Sequence, residues 1–328
     1  MPLISIIVVN YNGKDYLPGM LDSLRAQTFQ DFELILLDNA STDGSADAPD
    51  LSGLPAARLI RETDNHGYAR GNNLAVQQAS GKWLVLLNPD TLATPDFLEQ
   101  FVAASAAHPD VNSFAGCQYL LQEPDKLDGV GDAYLVFGFP WRGGFGHPVS
   151  ELPGPGEVFS ACGAAAMIRR SVYLAHGGFD ERFFMYCEDV DLGFRLRLAG
   201  ERCLFVPGAA VKHAASGISG RTSERTLYHG TRNRIWTYFK NMPLGLLLLS
   251  LPGHLILSAY LLMRALMTGT GGPIGRGMRD GFAGALRLRA SDQWRWTGKR
   301  TSGWRLARAM AWNPFRMSRR LPHVRPEK

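Results

Sequence analysis

Three carboxylates stand within four residues of one another, at Glu188, Asp189 and Asp191. Such a cluster is costly unless a cation, a basic partner or a raised pKa relieves the repulsion between the charges. A carboxylate at the mouth of a pocket can accept a proton from an attacking hydroxyl group. Acidic residues in the first turn of a helix are also favoured by the helix dipole, and we assign Asp191 to that structural role. Glu188 and Asp189, which follow the aromatic run 183–186, are the candidate catalytic residues.

A second candidate site combines an acid with a histidine. Asp90 follows an apolar run, and its carboxylate can bind a divalent cation, which prefers oxygen ligands and often contacts substrate phosphates. His213 follows another strand-like run and can supply a nitrogen ligand, which suits manganese as well as magnesium. Because a single histidine is more often structural, the hypothesis of a metal site depends on the two residues lying together.

Hydrophobic periodicity predicts the elements that must position these residues. Apolar runs alternate with helical patterns along the first 110 residues, which is typical of an α/β fold with helices on both faces of a mostly parallel sheet. The predicted strands are 4–9, 33–37, 58–61 and 82–87, and the predicted helices are 15–26, 69–79 and 95–107. Residues 111–160 are rich in glycine and proline and receive no assignment. Further on we predict ordered structure at 164–168, a helix through 194–196 and strands at 203–206 and 209–213.

Each of the four strands in the first part of the chain is followed by polar residues. Asn10 and Asn12 follow the first, Asp38 the second, the segment 65–73 the third, and Asn88-Pro89-Asp90 the fourth. Any one of these segments can be explained as a turn or a helix cap. Because ligands of parallel sheets bind beyond the carboxyl ends of the strands, four polar ends at one edge favour a binding site.

Five motifs, taken in order, match a known family. They are Val9-Asn10-Tyr11-Asn12-Gly13, residues 37–45, residues 65–73, Asn88-Pro89-Asp90 and residues 183–192. Over about residues 3–240 the sequence resembles the family 2 inverting glycosyltransferases of the GT-A fold, and within them the bacterial rhamnosyltransferase-like branch. The resemblance implies a Rossmann-like, nucleotide-sugar-binding half at 1–110 and an acceptor-binding half with the catalytic base at 111–240.

The resemblance implies that the polar strand ends bind a nucleotide-sugar donor, either dTDP-rhamnose or a UDP-sugar. Asp38 would contact the pyrimidine base, and Asn10 and Asn12 would line the same pocket. The 65–73 loop would contact the sugar or the diphosphate of the donor. The candidate residues of this loop are Asn65, Gly67, Arg70 and Asn73.

The resemblance also implies roles in metal binding and catalysis. Asp90 matches the second acid of the family's Asp-x-Asp motif and would bind magnesium or manganese on the diphosphate, with His213 completing the metal shell. Asn88 replaces the first acid, a form that looks usual in this branch, and one charge fewer should weaken metal binding. Asp189 matches the catalytic base, and Glu188 matches a neighbour near the acceptor. The acceptor oxygen would attack from the face opposite the diphosphate and invert the anomeric carbon.

Two other classes of protein share some of these sequence features. A nucleotidyltransferase or a Rossmann dehydrogenase also begins with alternating strands and helices, but the turn at 10–13 lacks the G-x-G-x-x-G of dinucleotide sites. A catalytically inactive, membrane-tethered module that binds nucleotide-sugars or glycans would not need to retain both candidate sites. The four cysteines have no paired spacing, which argues against a zinc knuckle or a redox pair.

The C-terminal part of the sequence has an apolar stretch of its own. Residues 241–263 contain no Asp, Glu, Lys or Arg and are long enough to cross a bilayer. Pro252-Gly253-His254 interrupts the stretch, and Ser250, His254 and Ser258 form a polar stripe at helical spacing. We therefore predict a re-entrant or interfacial segment in preference to a straight span or a buried soluble helix.

The charge distribution predicts where this part of the chain binds. Residues 261–328 carry a net charge of +12 and residues 1–260 a net charge of −7, which argues against nucleic-acid binding by the acidic body. Arginines alternate in the tail with Trp294, Trp296, Trp304 and Trp312, a combination that suits lipid headgroups. The run at 4–9 has the character of a strand and not of a signal peptide. Residues 241–328 are thus expected to attach the protein to the cytosolic face of the membrane, where the acceptor would be a saccharide or a lipid-linked saccharide.

Overall fold

The computed structural model describes residues 1–215, 220, 223–292 and 301–327. These residues form a mixed central sheet of ten strands and a separate sheet of two strands. In chain order the strands are β1 (Ile4–Asn10), β2 (Phe32–Asn39), β3 (Arg58–Glu62), β4 (Trp83–Leu87), β5 (Thr91–Ala93), β6 (Ser113–Leu120), β7 (Leu127–Gly129), β8 (Asp132–Leu135), β9 (Phe139–Arg142), β10 (Gly156–Val158), β11 (Ala165–Arg169) and β12 (Cys203–His213). The order across the central sheet is β10-β12-β6-β11-β4-β1-β2-β3, with β5 paired to β12 and β7 to β6, while β8 and β9 form the second sheet.

Helices cover both faces of the central sheet, as predicted. The helices are α1 (Leu17–Arg25), α2 (Gly67–Gln77), α3 (Phe97–Ala107), α4 (Arg170–Ala175), α5 (Glu188–Ala199), α6 (Glu224–Asn241), α7 (Leu244–Met267), α8 (Gly271–Asp292), α9 (Gly303–Ala309) and α10 (Pro314–Ser318). Side chains of β1 alternate between the two faces: Ile6 and Val8 pack with α1 and α3, and Ile7 and Val9 pack with α2 and α5.

The strand directions differ from the prediction in the second half of the sheet. Strands β1 to β4 pair in parallel, as expected. Strand β11 runs antiparallel to both β4 and β6, and the described part of the central sheet has four parallel and five antiparallel pairs. The prediction of a mostly parallel sheet is therefore wrong beyond β4. Between β6 and β11 the chain forms short strands and turns, and these connect antiparallel neighbours more readily than parallel ones.

Helix α7 is continuous from Leu244 to Met267 with Pro252 inside it, so the predicted re-entrant break is wrong. The polar stripe faces the protein on both sides of this proline, where it is fixed by hydrogen bonds. The hydroxyls of Ser250 and Tyr238 lie 2.8 Å apart, and the hydroxyl of Ser258 accepts a 3.0 Å hydrogen bond from Arg234. These contacts hold the helix against α6, although Pro252 supplies no backbone N–H.

The opposite side of α7 is apolar and exposed. Leu248, Leu249, Ile256, Met263 and Met267 are each more than half exposed. Within the described part of the chain, α7 is the helix whose length and composition would allow it to cross a membrane. Most of its apolar window is not buried, which distinguishes it from the core helix of a soluble protein.

The described residues beyond 240 pack against the preceding half of the chain. Met242, Leu306 and Met310 share one apolar cluster with Tyr134 and Phe194. The predicted boundary at residue 240 therefore coincides with no break in packing. In the basic tail, Trp304 and Trp312 are exposed, whereas the predictions for Trp294 and Trp296 lie outside the described residues.

Candidate active site

Asn10 and Asp38 lie side by side at the carboxyl ends of β1 and β2, where the strand register pairs them directly. Both are buried, and the Asn10 amide donates a 3.1 Å hydrogen bond to Asp38. Ser41 donates to the same carboxylate through its hydroxyl at 2.5 Å and its backbone N–H at 3.1 Å. Asn10 Oδ1 has no hydrogen-bond partner among the described residues, so a free acceptor lies beside a fixed carboxylate.

Asn12 and Asn65 shape the loops around these strand ends. Asn12 has a φ of 56°, and its side chain accepts the N–H of Thr42 over 2.7 Å. Asn65 accepts the N–H of Gly67 over 2.9 Å and a 3.0 Å hydrogen bond from Asn39 at the end of β2. The structure thus brings both residues to the predicted edge of the sheet.

Arg70 and Asn73 on α2 differ in their freedom to contact a ligand. Arg70 is half-exposed, and its guanidinium lies 3.9 Å from Glu181. The Asn73 side chain accepts from the hydroxyl of Tyr173 at 2.7 Å and from the N–H of Phe179 at 3.0 Å, and it donates to the Phe179 carbonyl at 2.8 Å. Asn73 therefore positions the segment that leads to α5, and its contact with a donor stays a prediction.

Asp90 and His213 lie together, as the sequence hypothesis required. Strand β5 pairs with β12 so that Thr91 lies opposite His213, which brings the buried Asp90 within 3.2 Å of His213 Nε2. The other ring nitrogen, Nδ1, lies 2.7 Å from the buried Asp128 in β7. Burial would lower the pKa of His213, but the hydrogen bonds to Asp128 and Asp90 outweigh it and raise this pKa above its usual value.

The residues around Asp90 fit a divalent cation. The hydrogen bond to Asp128 fixes the ring of His213 and directs Nε2 toward Asp90, the usual support of a metal-binding histidine. Asn88 Oδ1 is buried and without a partner among the described residues, and it adds an oxygen two positions from Asp90. The described residues contain no group of three His, Cys, Asp or Glu side chains that could hold a metal ion, so substrate or water oxygens would complete the shell.

Asp189 lies in the first turn of α5 and is tied to α2 through the backbone of Gly163. Its carboxylate accepts the N–H of Gly163 over 3.0 Å and that of Val190 over 2.8 Å. The carbonyl of Gly163 accepts a 2.9 Å hydrogen bond from the hydroxyl of Tyr68. Burial raises the pKa of Asp189, although the two backbone hydrogen bonds oppose the rise.

Glu188 and Asp132 make the surroundings of Asp189 unusually acidic. Glu188 is buried, and its Oε2 has no hydrogen-bond partner among the described residues. Burial and the charge of Asp189 raise the pKa of Glu188 well above its usual range, and the same two causes raise the pKa of Asp132. Because Asp189 has two N–H donors to stabilise a negative charge, it is the carboxyl of this cluster best suited to ionise.

Arg142 connects this acidic cluster to the candidate metal site. It lies opposite Asp132 in the register of β8 and β9, and its positive charge opposes the rise in the Asp132 pKa. Its guanidinium also forms an ion pair with Asp128, the residue that orients His213. The guanidinium of Arg142 thus places a positive charge beside both groups of carboxylates.

Residues 183–187, here called the aromatic loop, bring the α5 carboxylates next to α2. Phe184, Tyr186 and Cys187 have positive φ values of 64°, 69° and 65°, which residues other than glycine rarely adopt. The Phe184 carbonyl accepts the N–H of Ala69 over 3.1 Å. A Cβ atom on Gly67 would lie 2.5 Å from the same oxygen, so the two elements are in direct contact.

Sequence reasoning missed Asp128, Asp132 and Arg142 because all three lie within residues 111–160. The strands that carry them are three or four residues long, too short for hydrophobic periodicity to detect. The available signal was the run Leu127-Asp128-Gly129-Val130-Gly131-Asp132, in which each acid follows an apolar residue or glycine.

Comparison with known proteins identifies the family. The description "Glycosyl transferase family 2" matches residues 5–177, more than half of the chain. An N-acetylglucosaminyl-diphospho-decaprenol L-rhamnosyltransferase of Mycobacterium tuberculosis is 29% identical over 245 residues, which cover 67% of this chain and 78% of that protein. The O-antigen biosynthesis protein RfbC of Myxococcus xanthus is 35% identical over 231 residues, which cover 66% of this chain and 17% of that protein.

A solved structure shows the same fold. The mannosyltransferase PcManGT from Pyrobaculum calidifontis, in complex with GDP-Man and Mn²⁺, matches with a TM-score of 0.54 and 19% sequence identity over 89% of this chain and 88% of that one. This similarity bears out the GT-A fold that the five motifs imply. Since the family match extends from β1 to beyond β11, the chain belongs to the family 2 glycosyltransferases and is similar to their rhamnosyltransferase members.

Proposed function

We propose that this glycosyltransferase moves a sugar from dTDP-rhamnose or a UDP-sugar to a hydroxyl group of a saccharide or lipid-linked saccharide, with inversion at the anomeric carbon. The observation that carries the proposal is Asp189. Its carboxylate has a raised pKa and is joined through Gly163 and Tyr68 to α2, beside the candidate donor residues. A candidate general base thus lies against the donor side of the sheet.

Asp38 and Asn10 suit the base of a pyrimidine nucleotide. A fixed carboxylate can accept the ring N–H of the base, and the free Oδ1 of Asn10 is a second acceptor beside it. Asn12 and Asn65 would shape this pocket. Arg70 is half-exposed and would supply positive charge to the diphosphate or a hydrogen bond to the sugar.

Asp90 and His213 would hold a magnesium or manganese ion, with Asn88 as a neighbouring oxygen donor. When bound, such an ion stabilises the negative charge that develops on a leaving diphosphate. Asp128 would orient His213 for this role, and Arg142 would balance the charge of Asp128.

Asp189 would accept the proton of the acceptor hydroxyl group. As the O–H bond breaks, the oxygen forms a bond to the anomeric carbon, and the bond from this carbon to the diphosphate breaks with its electron pair on the diphosphate. Attack from the opposite face inverts the configuration. Glu188 has a strongly raised pKa and, in its protonated form, would donate a hydrogen bond to the acceptor.

A membrane location supports a lipid-linked acceptor. The M. tuberculosis relative is named for transfer to a lipid-linked saccharide, and the exposed apolar side of α7 suits contact with lipid. The net charge of +12 on residues 261–328 suits anionic headgroups. We infer that residues 241–328 lie at the cytosolic face of the membrane as a peripheral region, and that the product serves cell-surface polysaccharide synthesis.

The substitution Asp189→Asn tests the assignment of the base, because it keeps the shape of the side chain and removes its basicity. We expect transfer to fall by about 10²–10⁴-fold while calorimetry finds unchanged donor affinity. The wild-type rate should decline at low pH with an apparent pKa above the usual aspartate value, because burial raises the pKa of Asp189.

The matched control is Asp110→Asn, which removes an exposed acid paired with Arg202 and should change neither quantity. Lost donor affinity with preserved turnover would contradict the role of Asp189. A product that NMR shows to retain the anomeric configuration of the donor would contradict the single displacement.

A further inference from the structure

The aromatic loop requires support from outside itself. Three of its five residues, Phe184, Tyr186 and Cys187, have a positive φ without being glycine. Such conformations persist when the surrounding structure over-determines them. The loop ends where α5 begins, so its conformation sets the position of Glu188 and Asp189.

Asn233 of α6 supplies much of this support. The side chain is buried, and its amide nitrogen lies 2.8 Å from each of three carbonyl oxygens, those of Phe183, Met185 and Tyr186. The fourth carbonyl, that of Phe184, accepts the N–H of Ala69. The carbonyl groups of residues 183–186 thus all have donors. Because the amide has two N–H groups, the three oxygens share them, and the Phe183 carbonyl also accepts the N–H of Met185 over 2.8 Å.

Neighbouring side chains orient this amide. Arg232 donates from Nε to Asn233 Oδ1 over 2.9 Å, which fixes the oxygen on one side and turns the nitrogen to the loop. Arg232 also donates through Nη2 to the Phe183 carbonyl over 3.1 Å. Asparagine suits the site because it is short and carries two N–H donors, whereas serine or threonine has one and ionised aspartate has none.

We propose that Asn233 is a positioning residue for catalysis, which holds the aromatic loop in its positive-φ conformation and thereby sets Asp189 against the Gly163 N–H. The inference rests on the proposed function, in which Asp189 is the general base. It assigns to α6 a part in the reaction although, among the described residues, the hydrogen bonds of Asn233 reach neither Asp189 nor the candidate donor residues.

Hydrogen exchange of the aromatic loop tests the structural half of the proposal without any need for activity. The variants are Asn233→Ala and Asn233→Ser, the second of which keeps one donor. The control is Thr237→Val, which removes a buried 2.9 Å hydrogen bond to the Asn233 carbonyl one turn further along α6 and leaves the loop contacts in place. One hydrogen bond corresponds to about a tenfold effect, so amides 183–187 of Asn233→Ala should exchange at least about tenfold faster than in the wild type. Asn233→Ser should be intermediate, and Thr237→Val should match the wild type.

Steady-state kinetics test the catalytic half. A displaced base slows chemistry without weakening donor binding, so Asn233→Ala should lower kcat by about 10- to 100-fold, as small misplacements of catalytic groups do. The KM for the donor should stay within about twofold of the wild type. A variant that only loosens the protein would raise KM as well or would change neither parameter.

Each outcome decides the proposal. Unchanged exchange of residues 183–187 in Asn233→Ala, or unchanged kcat beside faster exchange, overturns it. If both Asn233 variants fail to fold while Thr237→Val folds, Asn233 serves the whole fold and the proposal is wrong. If Asp189→Asn retains full turnover, the proposed function fails, and the exchange result then reports separately on whether Asn233 holds the loop.

Discussion

The environment of each carboxyl group, and not its residue type, separates the roles within Glu188, Asp189 and Asp191. Asp189 accepts two backbone N–H groups, which stabilise its ionised form. Glu188 has an oxygen without a partner among the described residues. Asp191 is buried and accepts hydrogen bonds from Lys240 at 2.8 Å and Asn241 at 2.7 Å. Asp191 therefore has the predicted structural role, which it fills by hydrogen bonds to α6 in addition to any effect of the helix dipole.

Glu188→Gln should stabilise the protein increasingly as the pH rises. In the folded state burial and the charge of Asp189 raise the pKa of Glu188 well above the ordinary glutamate value of 4.5, so the folded state keeps a proton that the unfolded state loses. Stability conferred by that proton is present at low pH and decreases, by up to about 1.4 kcal/mol per pH unit, between the unfolded and the folded pKa. Glutamine carries no such proton, so the difference in Tm between variant and wild type should grow above pH 4.5. A difference that is flat with pH, or no larger than that of the exposed Glu123→Gln, would refute this account.

Metal binding should depend on Asp128 although this residue is not a proposed ligand. Asp128→Asn weakens the hydrogen bond that fixes the His213 ring, and loss of such a partner typically lowers metal affinity by about 10–100-fold. Activity titrated with manganese should show this shift for Asp128→Asn, and His213→Ala should be partly rescued by excess manganese. Full activity of the wild type in a strong chelator would remove the cation from the mechanism.

The contact between α2 and the aromatic loop can be measured through one glycine. Gly67 has a φ of 77°, and Gly67→Ala would place a Cβ atom 2.5 Å from the Phe184 carbonyl oxygen. A left-handed alanine alone costs about 1–2 kcal/mol. Gly146→Ala provides the control, because Gly146 has a φ of 79° and no atom within 4 Å of its Cβ position. In urea unfolding, Gly67→Ala should lower the free energy of unfolding more than Gly146→Ala does. Equal decreases would mean that α2 and the aromatic loop can move apart without a loss of stability.

Seven of the eight elements in the first 107 residues could be predicted because they are longer and regular, whereas the three-residue strand β5 was missed. The predicted strands and helices there agree with β1–β4 and α1–α3 to within two residues. The segment 111–160 could not be assigned, because apart from β6 its strands are only three or four residues long. The same difference applies to the site: Asp38, Asp90 and Asp189 belong to motifs, whereas Arg142 gains its importance from the pairing of β8 with β9.

Two further roles depend on hydrogen bonds that form only in the folded state and that the sequence does not reveal. In the structure the side chain of Asn73 forms hydrogen bonds with Tyr173 and Phe179, a positioning role that the sequence did not indicate, and its contact with a donor stays a prediction. Asn233 lies outside the five motifs, and its importance depends on three carbonyl groups some 50 positions earlier.

The exposed side of α7 should determine where the whole molecule resides. The double substitution Leu249→Glu and Ile256→Glu changes two exposed side chains, so we expect a loss of binding to vesicles of anionic phospholipid and a Tm shift of only about 1–2 °C. Leu174→Glu alters an exposed leucine on α4 and should leave vesicle binding intact. Wild-type protein that stays free of such vesicles, or a double variant that binds them equally well, would contradict membrane attachment through α7.

Removal of the C-terminal region is expected to damage the catalytic half as well. A chain that ends near residue 240 would lose Met242, Leu306 and Met310 from the cluster that contains Phe194 of α5. The predicted attachment function of residues 241–328 is therefore inseparable from a packing function. Membrane binding has to be altered by substitution on the surface and not by truncation.

The orientation of α7 reverses the usual pattern of tolerance to substitution, in which apolar positions are the sensitive ones. In this helix the polar positions are the ones that the fold needs, because Ser258 bonds to the buried guanidinium of Arg234 and Ser250 bonds to Tyr238. Replacing these serines with alanine, a change that strengthens many soluble helices, would leave buried partners unsatisfied. Replacing the outward leucines with polar residues would be accepted by the fold and, if α7 binds lipid as proposed, would release the protein from the membrane. A redesign for solubility must therefore keep the serines of this helix and substitute the exposed leucines.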